Sequence, residues 1–116
     1  MLREFVRLPE FEKCWEDAGL TEDDMIELEK TLCLNPDSGD MVEGAGGLRK
    51  LRWALPNTGK RGGIRVVYVD FVYYEKIYLV SAYKKSGKDN LTNAERNEIK
   101  KVIKLLADTL GRKGRQ

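Results

Sequence analysis

Histidine is absent from this 116-residue chain, and cysteine and long apolar runs are scarce. Without histidine, the chain lacks the commonest metal ligand and the side chain best suited to proton transfer near neutral pH. Cys14 and Cys33 lie far apart without metal-type spacing, so we interpret them as reduced core thiols, with a disulfide as the weaker alternative. No run is long enough to span a membrane, and no segment resembles a secretory signal. These features predict one cytoplasmic domain over residues 1–116, without membrane association, ending in a mobile basic tail at residues 112–116.

Charge is divided unevenly along the chain, although the formal net charge is only +2. Residues 1–43 hold 13 acidic and 4 basic residues, a net charge of −9, whereas residues 44–116 hold 6 acidic and 17 basic residues, a net charge of +11. No acidic residue occurs from Gly44 to Val69. Such an asymmetry is typical of a surface that binds a polyanion, although acidic helices facing a basic sheet would give the same pattern.

Hydrophobic periodicity and turn residues predict an α+β fold with an N-terminal helical hairpin and a C-terminal helix. Thr21 is expected to cap the second helix, and Thr92 and Glu95 have capping-box spacing at the start of the last one. We expect strands at about residues 2–8, 48–55, 63–73 and 76–84, and a loop over residues 35–47. The helices should cover one face of the sheet and leave a positive concavity on the other.

Several cations fall within the predicted strands. Because side chains alternate along a strand, Lys50 and Arg52 share one face of their strand, and Arg65 lies in the next strand. A solvated sheet face would account for them, but arginine and lysine are also the side chains that bind phosphate. Aromatic residues in the same strands would either stack on bases or pack in the core: Trp53, Tyr68, Tyr78 and Tyr83.

Other motifs carry less information. The run "GKRGG" at residues 59–63 lacks the Walker pattern and is interpreted as a hairpin loop that can approach a backbone closely. Asp70 and Glu75 are isolated acids in the basic half, so neither a carboxylate pair nor a metal nuclease site is expected. No cofactor is implied.

Three segments resemble the HigB-type toxins of the RelE/ParE superfamily, from bacterial type II toxin–antitoxin modules. The segments are "GLRKLRWAL", "GKRGGIRVVYVD" and "IYLVSAYKKSGKDNLTNAERNEIKKVI", and the match is strongest over residues 47–106. The resemblance implies a RelE-like fold, with the helical hairpin packed on a small, mainly antiparallel twisted sheet. It also implies a metal-independent endoribonuclease that cuts mRNA in the ribosomal A site and is neutralised by a cognate antitoxin, often with a helix-turn-helix.

The resemblance also assigns roles to particular residues. Lys50 and Arg52 match the paired basic residues of the strand that follows the helices. Arg65 matches the arginine of the next strand, and Lys85 matches the basic residue that ends the last strand. In that scheme Lys50 is the general base, Arg52 and Arg65 hold the phosphate, and Lys85 assists the leaving oxygen. The tyrosine that RelE carries beyond the last strand has no clear match, since Leu91 lies there; Tyr83 is its candidate substitute. Further RNA contacts are expected from Arg49, Lys60, Arg61, Tyr83, Lys84 and Lys88.

Two other functions stay open at this point. ParE-type relatives share the fold but act on DNA gyrase, and a catalytically inert RNA-binding module would bind without cutting. Retention of Lys50, Arg52, Arg65 and Lys85 favours the nuclease.

Overall fold

The structure, a computed structural model, describes residues 3–54, 63–84 and 91–113, with side chains as far as Gly111. Along the chain the described elements are β1 (Glu4–Arg7), α1 (Pro9–Asp17), α2 (Glu22–Leu34), β2 (Asp40–Met41), β3 (Leu48–Ala54), β4 (Gly63–Phe71), a 3-10 turn (Val72–Tyr74), β5 (Lys76–Lys84) and α3 (Asn93–Lys113). The predicted α+β class, helical hairpin and C-terminal helix are confirmed.

The five described strands form one mixed sheet in the order β1-β5-β4-β3-β2. The β2–β3, β3–β4 and β4–β5 pairs are antiparallel, and only β1 runs parallel to its neighbour β5. The sheet is therefore mainly antiparallel, as predicted. The register shifts between Val67 and Tyr68, an irregularity in the β4–β5 ladder.

Both predicted caps are present. Thr21 Oγ1 accepts a hydrogen bond from the Asp24 N–H at 3.3 Å, and the Asp24 carboxylate accepts from the Thr21 N–H at 2.8 Å. At the start of α3, Thr92 Oγ1 accepts from the Glu95 N–H at 3.1 Å, and Glu95 Oε1 accepts from the Thr92 N–H at 2.9 Å. Each capping box satisfies N–H groups that the first helical turn leaves without a partner.

The N-terminal hairpin packs on one face of the sheet, which we call the hairpin face. Phe11 and Trp15 of α1 and Leu28 of α2 are buried there against strand residues. Those strand residues include Ile64, Val66, Tyr68, Ile77, Leu79 and Ala82. Alternation along β3 adds Leu51 and Trp53 to this face.

The opposite face is not bare, which corrects the prediction that helices cover only one side. A second core there joins Ile103 and the half-buried Ile99 of α3 to Val67, Val69 and other sheet residues, and we call this the α3 face. The sequence of α3 does not say which face it covers, because an apolar helical stripe fits either one. The sheet face that was predicted to be open is therefore partly covered by α3.

Other local predictions need adjustment. The loop at residues 35–47 contains the two-residue strand β2, and the strand predicted to end at residue 73 stops at Phe71, where the 3-10 turn begins. The helix α3 continues to Lys113, so residues 112 and 113 of the predicted tail are helical, and residues 114–116 lie outside the described part. Cys14 and Cys33 are half-buried, and neither takes part in a disulfide. None of the described helices is both long and apolar enough to cross a membrane.

Candidate nucleic-acid interface

A row of polar side chains crosses three strands on the α3 face. In the antiparallel register, Arg52 of β3 lies directly opposite Arg65 of β4, which lies directly opposite Tyr83 of β5. Lys50 precedes Arg52 by two residues on the same face and is paired with Val67. With a rise of about 3.3 Å per residue, Lys50 and Arg52 lie about 7 Å apart along the strand. Three of the four predicted catalytic residues therefore lie together.

Arg65 is the most unusual member of this row. Its side chain is buried, with 7% relative exposure, and its Nη1 atom has no hydrogen-bond partner among the described residues. Arg65 and Arg52 make no ion pair with any residue of the described ranges. Buried charged groups are normally paired, and like charges facing each other across a strand pair destabilise it. An anion bound between the two guanidinium groups would relieve both costs.

The arginines of the acidic half behave differently. Arg3 Nε donates to Asp70 Oδ1 at 2.8 Å, and Arg7 donates to both carboxylate oxygens of Glu29 at 2.9 and 3.1 Å. The hydrogen bond to Asp70 raises the pKa of Arg3 above its ordinary value, and the one to Glu29 does the same for Arg7. Arg3 and Arg7 are therefore neutralised within the fold, whereas among the described residues Arg52 and Arg65 of the α3 face have no acidic partner.

A polar cavity of about 320 Å³ lies beside Lys50. It is lined by Asp40, Met41, Val42, Glu43, Lys50, Leu91 and Arg96, which come from β2, the segment after it, β3, and the start of α3. Sequence reasoning missed Asp40, Glu43 and Arg96 as members of the site. The only signal for Arg96 was its place in the first turn of a capped helix, and nothing in the loop composition indicated that Asp40 pairs with Lys50.

The remaining predicted RNA contacts are dispersed. Arg49 lies on the hairpin face, where its Nη1 donates to the Gly39 carbonyl at 2.7 Å. Lys84 is paired with Ile64 of the hairpin-face core and lines a cavity with residues of α1. RNA would have to pass around the edge of the sheet to reach them, so their contacts stay predictions. Four predicted residues lie outside the described ranges: Lys60, Arg61, Lys85 and Lys88.

The aromatic side chains divide between the two faces. Tyr68 is fully buried on the hairpin face, where its hydroxyl donates to the Pro36 carbonyl at 2.7 Å and accepts from the Gly39 N–H at 2.9 Å. Burial raises the pKa of Tyr68. Base stacking by Tyr68 is therefore wrong, and Trp53 also packs against the hairpin-face core. Tyr78 and Tyr83 are half-buried on the α3 face, and only Tyr83 lies beside Arg65.

The described ranges offer few groups suited to metal binding, or to proton transfer by a tyrosine at the position where RelE has one. Leu91, which the resemblance puts near the position of the RelE tyrosine, is buried in the second core and lines the cavity beside Lys50. Within residues 3–54, 63–84 and 91–111, no three cysteine, aspartate or glutamate side chains are grouped as a metal site would require. The chemistry that the described site supports is recognition of an anion by fixed cations.

Most of the chain matches the sequence model of a known protein family. The RelE family model, described as the RelE toxin of the RelE/RelB toxin–antitoxin system, matches residues 10–113. The chain belongs to the RelE toxin family. It is a toxin of a toxin–antitoxin system, with a cognate antitoxin as its implied partner, and RelE toxins are generally endoribonucleases that inhibit translation. The mixed sheet and the C-terminal helix are consistent with a RelE-like fold.

Proposed function

We propose that this RelE-family toxin is a HigB-type, ribosome-dependent endoribonuclease that cuts translated mRNA in the A site. The observation that carries the proposal is the pair Arg52 and Arg65, which face each other across two strands without an acidic partner in the described structure. A phosphodiester is the anion in RNA that fits between two such guanidinium groups, because their planar forks match phosphate oxygens.

The proposed reaction is an attack of the ribose 2′-OH on the adjacent phosphorus. The 2′-oxygen loses its proton and forms the new P–O bond, the bond to the 5′-oxygen breaks, and that oxygen takes up a proton. The products are a 2′,3′-cyclic phosphate and a 5′-hydroxyl. Negative charge builds on the phosphoryl oxygens in the transition state, where fixed cations contribute most to catalysis.

The residues divide this work between them. Arg65 and Arg52 hold the phosphoryl oxygens, and Lys50, on the same face, accepts the 2′-OH proton. Lys85 is proposed to protonate the leaving 5′-oxygen. Tyr83, directly opposite Arg65, is the alternative proton donor. Arginine is unsuited to proton transfer because its pKa stays above about 12.

The ribosome supplies what the site lacks. The described cations are proposed to hold the phosphate, and the ribosome is proposed to orient the RNA strand on either side of it. Holding the mRNA with its 2′-oxygen in line with the scissile bond would contribute much of the rate, as orientation effects do generally. The isolated protein should therefore cut free RNA poorly.

Controlled expression in bacteria, with mapping of mRNA 5′ ends, tests the proposal. Expression of the wild type should arrest growth and produce cuts inside translated codons, and Arg65→Ala should abolish both effects. Arg65→Lys should also show little growth arrest and few cuts, since lysine lacks the planar fork of donors. Lys30→Ala, which removes an exposed cation of α2, is the matched control and should behave as wild type. Arrest without mRNA cuts would indicate the gyrase-directed mode of ParE-type toxins, and no arrest would indicate an inert RNA-binding module.

We also propose that the antitoxin, of the helix-turn-helix type, neutralises the toxin by covering the basic α3 face or by locking α3 beside it. Arg52 and Arg65, which have no acidic partner among the described residues, favour an acidic antitoxin segment there. A structure of the complex in which this face stays open to substrate would contradict the blocking mechanism.

A further inference from the structure

We propose that Asp40 is a positioning residue for the proposed reaction, and that Tyr68 and Arg49 hold it in place from the opposite face of the sheet. The inference rests on the proposed function, because it concerns the Lys50 amine that accepts the 2′-OH proton. Asp40 belongs to the short edge strand β2 and lies directly opposite Lys50. The four residues connect the hairpin-face core to the proposed cleavage site.

Asp40 is placed to contact the Lys50 amine. Residues directly opposite each other in an antiparallel ladder point their side chains to the same face, with Cβ atoms about 4.5–5.5 Å apart. That separation is within the reach of an aspartate carboxylate and a lysine amine. Both side chains also line the same cavity of about 320 Å³, where Lys50 is half-buried and Asp40 is exposed. The Lys50 amine therefore has a carboxylate on its β2 side.

A carboxylate beside an amine base assists proton transfer in two ways. It accepts a hydrogen bond from the neutral amine, which leaves the nitrogen lone pair available to the 2′-OH group. When Lys50 takes the 2′-OH proton it becomes an ammonium ion, and the Asp40 carboxylate balances the new charge. The aspartate of a serine protease triad acts on its histidine base in the same two ways.

Other charged groups face Lys50 from three elements. Arg52 lies two residues further along β3, Arg96 belongs to the first turn of α3, and Glu43 follows β2. The two arginines oppose a positive charge on Lys50, so an acidic neighbour assists when the amine gains its proton. Asp40 is the acid that the ladder holds opposite Lys50, whereas Glu43 lies beyond the last residue of β2.

A hydrogen-bond network on the hairpin face holds the residue before Asp40. The Gly39 N–H donates to Tyr68 Oη at 2.9 Å, and Arg49 Nη1 donates to the Gly39 carbonyl at 2.7 Å. The Tyr68 hydroxyl in turn donates to the Pro36 carbonyl at 2.7 Å. A neutral tyrosine hydroxyl can donate and accept at once. Side chains of β3 and β4 therefore bind both backbone polar groups of Gly39.

Close packing adds to these hydrogen bonds. A Cβ on Gly39 would lie 2.9 Å from Tyr68 Cε1 and 3.0 Å from the Lys50 carbonyl oxygen, so a larger residue does not fit there. At the other end of β2, the Val42 N–H donates to the Leu48 carbonyl at 2.9 Å. Because β2 is only two residues long, its ladder alone fixes little. These flanking contacts therefore determine where the strand lies.

Cleavage of mRNA on programmed ribosomes under single-turnover conditions, measured beside RNA binding, tests the role of Asp40. Asp40→Asn keeps the shape but removes the charge. It should slow cleavage about tenfold, a small part of the roughly 10²–10⁴-fold that general acid–base catalysis contributes. Asp40→Glu should recover most of the rate. Binding of a labelled, 2′-O-methylated oligonucleotide should be unchanged or tighter in Asp40→Asn, because a negative charge beside the RNA is lost. A residue with only a structural role would not slow cleavage while sparing binding.

The matched control changes the same charge in the same turn. Asp37 is an exposed acid three residues before Asp40, and it lines a different cavity together with Arg49. Asp37→Asn should cleave at the wild-type rate. Equal slowing in Asp37→Asn and Asp40→Asn would show that the position opposite Lys50 has no special role, and would overturn the inference.

Tyr68→Phe tests whether the hairpin face acts through Asp40. Phenylalanine keeps the ring in the core but removes both hydrogen bonds of the hydroxyl. Cleavage should slow about fivefold, the scale of one lost hydrogen bond. Adding Tyr68→Phe to Asp40→Asn should slow cleavage no further, because residues that act through one another give non-additive effects. Circular dichroism at the assay temperature verifies that each variant is folded.

The outcomes distinguish this inference from the proposed function. If wild type cuts mRNA and Asp40→Asn cuts as fast or faster, or loses cleavage only in proportion to weaker RNA binding, Asp40 does not position Lys50 and the nuclease stands. Additive losses in the double variant would show that Tyr68 does not act through Asp40. An absence of cuts by the wild type would refute the proposed function itself, and the positioning role with it.

Discussion

Burial of Arg65 removes most of its side chain from water, while the described residues offer its Nη1 no acceptor. An isolated buried charge costs several kcal/mol unless partners replace the lost hydration. Arg52 adds repulsion from the opposite strand. A residue that costs stability in the free protein is typical of a binding site, where the ligand provides the missing partner.

Replacing Arg65 with methionine should therefore stabilise the fold while removing activity. We expect Arg65→Met to raise the free energy of unfolding by about 1 kcal/mol, and the melting temperature by about 4 °C, because an apolar chain of similar length needs no partner. Thermal unfolding followed by circular dichroism measures this change. Arg52→Met, at an exposed position, should change the free energy by less than about 0.5 kcal/mol. A lower melting temperature for Arg65→Met would show that Arg65 is satisfied in the fold.

Alternation along the strands predicted which cations share a face of the sheet, but not which aromatic rings are exposed for stacking on a base. Lys50 and Arg52 share a face because every second side chain of a strand does, and the register then adds Arg65. Tyr68 follows the same rule, yet its ring fills the hairpin-face core and its hydroxyl links Pro36 to Gly39. A single sequence does not distinguish a tyrosine that stacks on a base from one that packs in a core, since both occupy the same strand positions.

At the scale of elements, two helices begin with the same capping chemistry but serve different purposes. The cap of α2 at Thr21 lies in the acidic N-terminal hairpin. The cap of α3 at Thr92 lies between Leu91 and Arg96, both of which line the cavity beside Lys50. Replacing the capping threonine in each helix therefore distinguishes an effect on stability alone from an effect on function.

Thr21→Ala and Thr92→Ala should each lower the free energy of unfolding by about 1 kcal/mol, the usual cost of losing an N-cap side chain. Only Thr92→Ala should also weaken RNA binding and mRNA cleavage, because fraying of the first turn of α3 displaces Arg96. Urea denaturation measures the first effect, and 5′-end mapping with RNA binding measures the second. Equal loss of cleavage in both variants would mean that stability alone limits activity.

Long periodic elements were predictable, whereas short elements and helix placement were not. The strand β5 and both capping boxes agree with the sequence patterns, because each depends on chemistry within a few residues of chain. The strand β2 spans only Asp40–Met41, too few residues to show alternation. The docking of α3 on the basic side depends on contacts with residues more than 30 positions away, such as Val67 and Val69.

Over the whole molecule, the fold places the acidic N-terminal part of the sequence and the basic remainder largely on different faces of the sheet. The acidic hairpin covers one face of the sheet, where Glu29 of α2 pairs with Arg7 of β1, and Asp70 of β4 pairs with Arg3. The opposite face carries Lys50, Arg52 and Arg65 beside a helix rich in lysine. A polyanion approaching the protein should therefore be oriented by the field of the molecule before it makes any specific contact.

This arrangement predicts a defined salt dependence for RNA binding. Each phosphate contact to a single strand contributes about −0.7 to the slope of log K against log salt concentration, so about four contacts give a slope near −3. Arg52→Ala should reduce the magnitude of that slope by about 0.7, since Arg52 is exposed and unpaired among the described residues. Fluorescence anisotropy of a labelled, 2′-O-methylated oligonucleotide, measured between about 50 and 300 mM salt, gives the slope. Lys30→Ala, on the acidic hairpin and paired with Glu27 at 3.7 Å, should leave the slope unchanged. If both substitutions changed it equally, RNA would be attracted by net charge alone, and the α3 face would not be its binding surface.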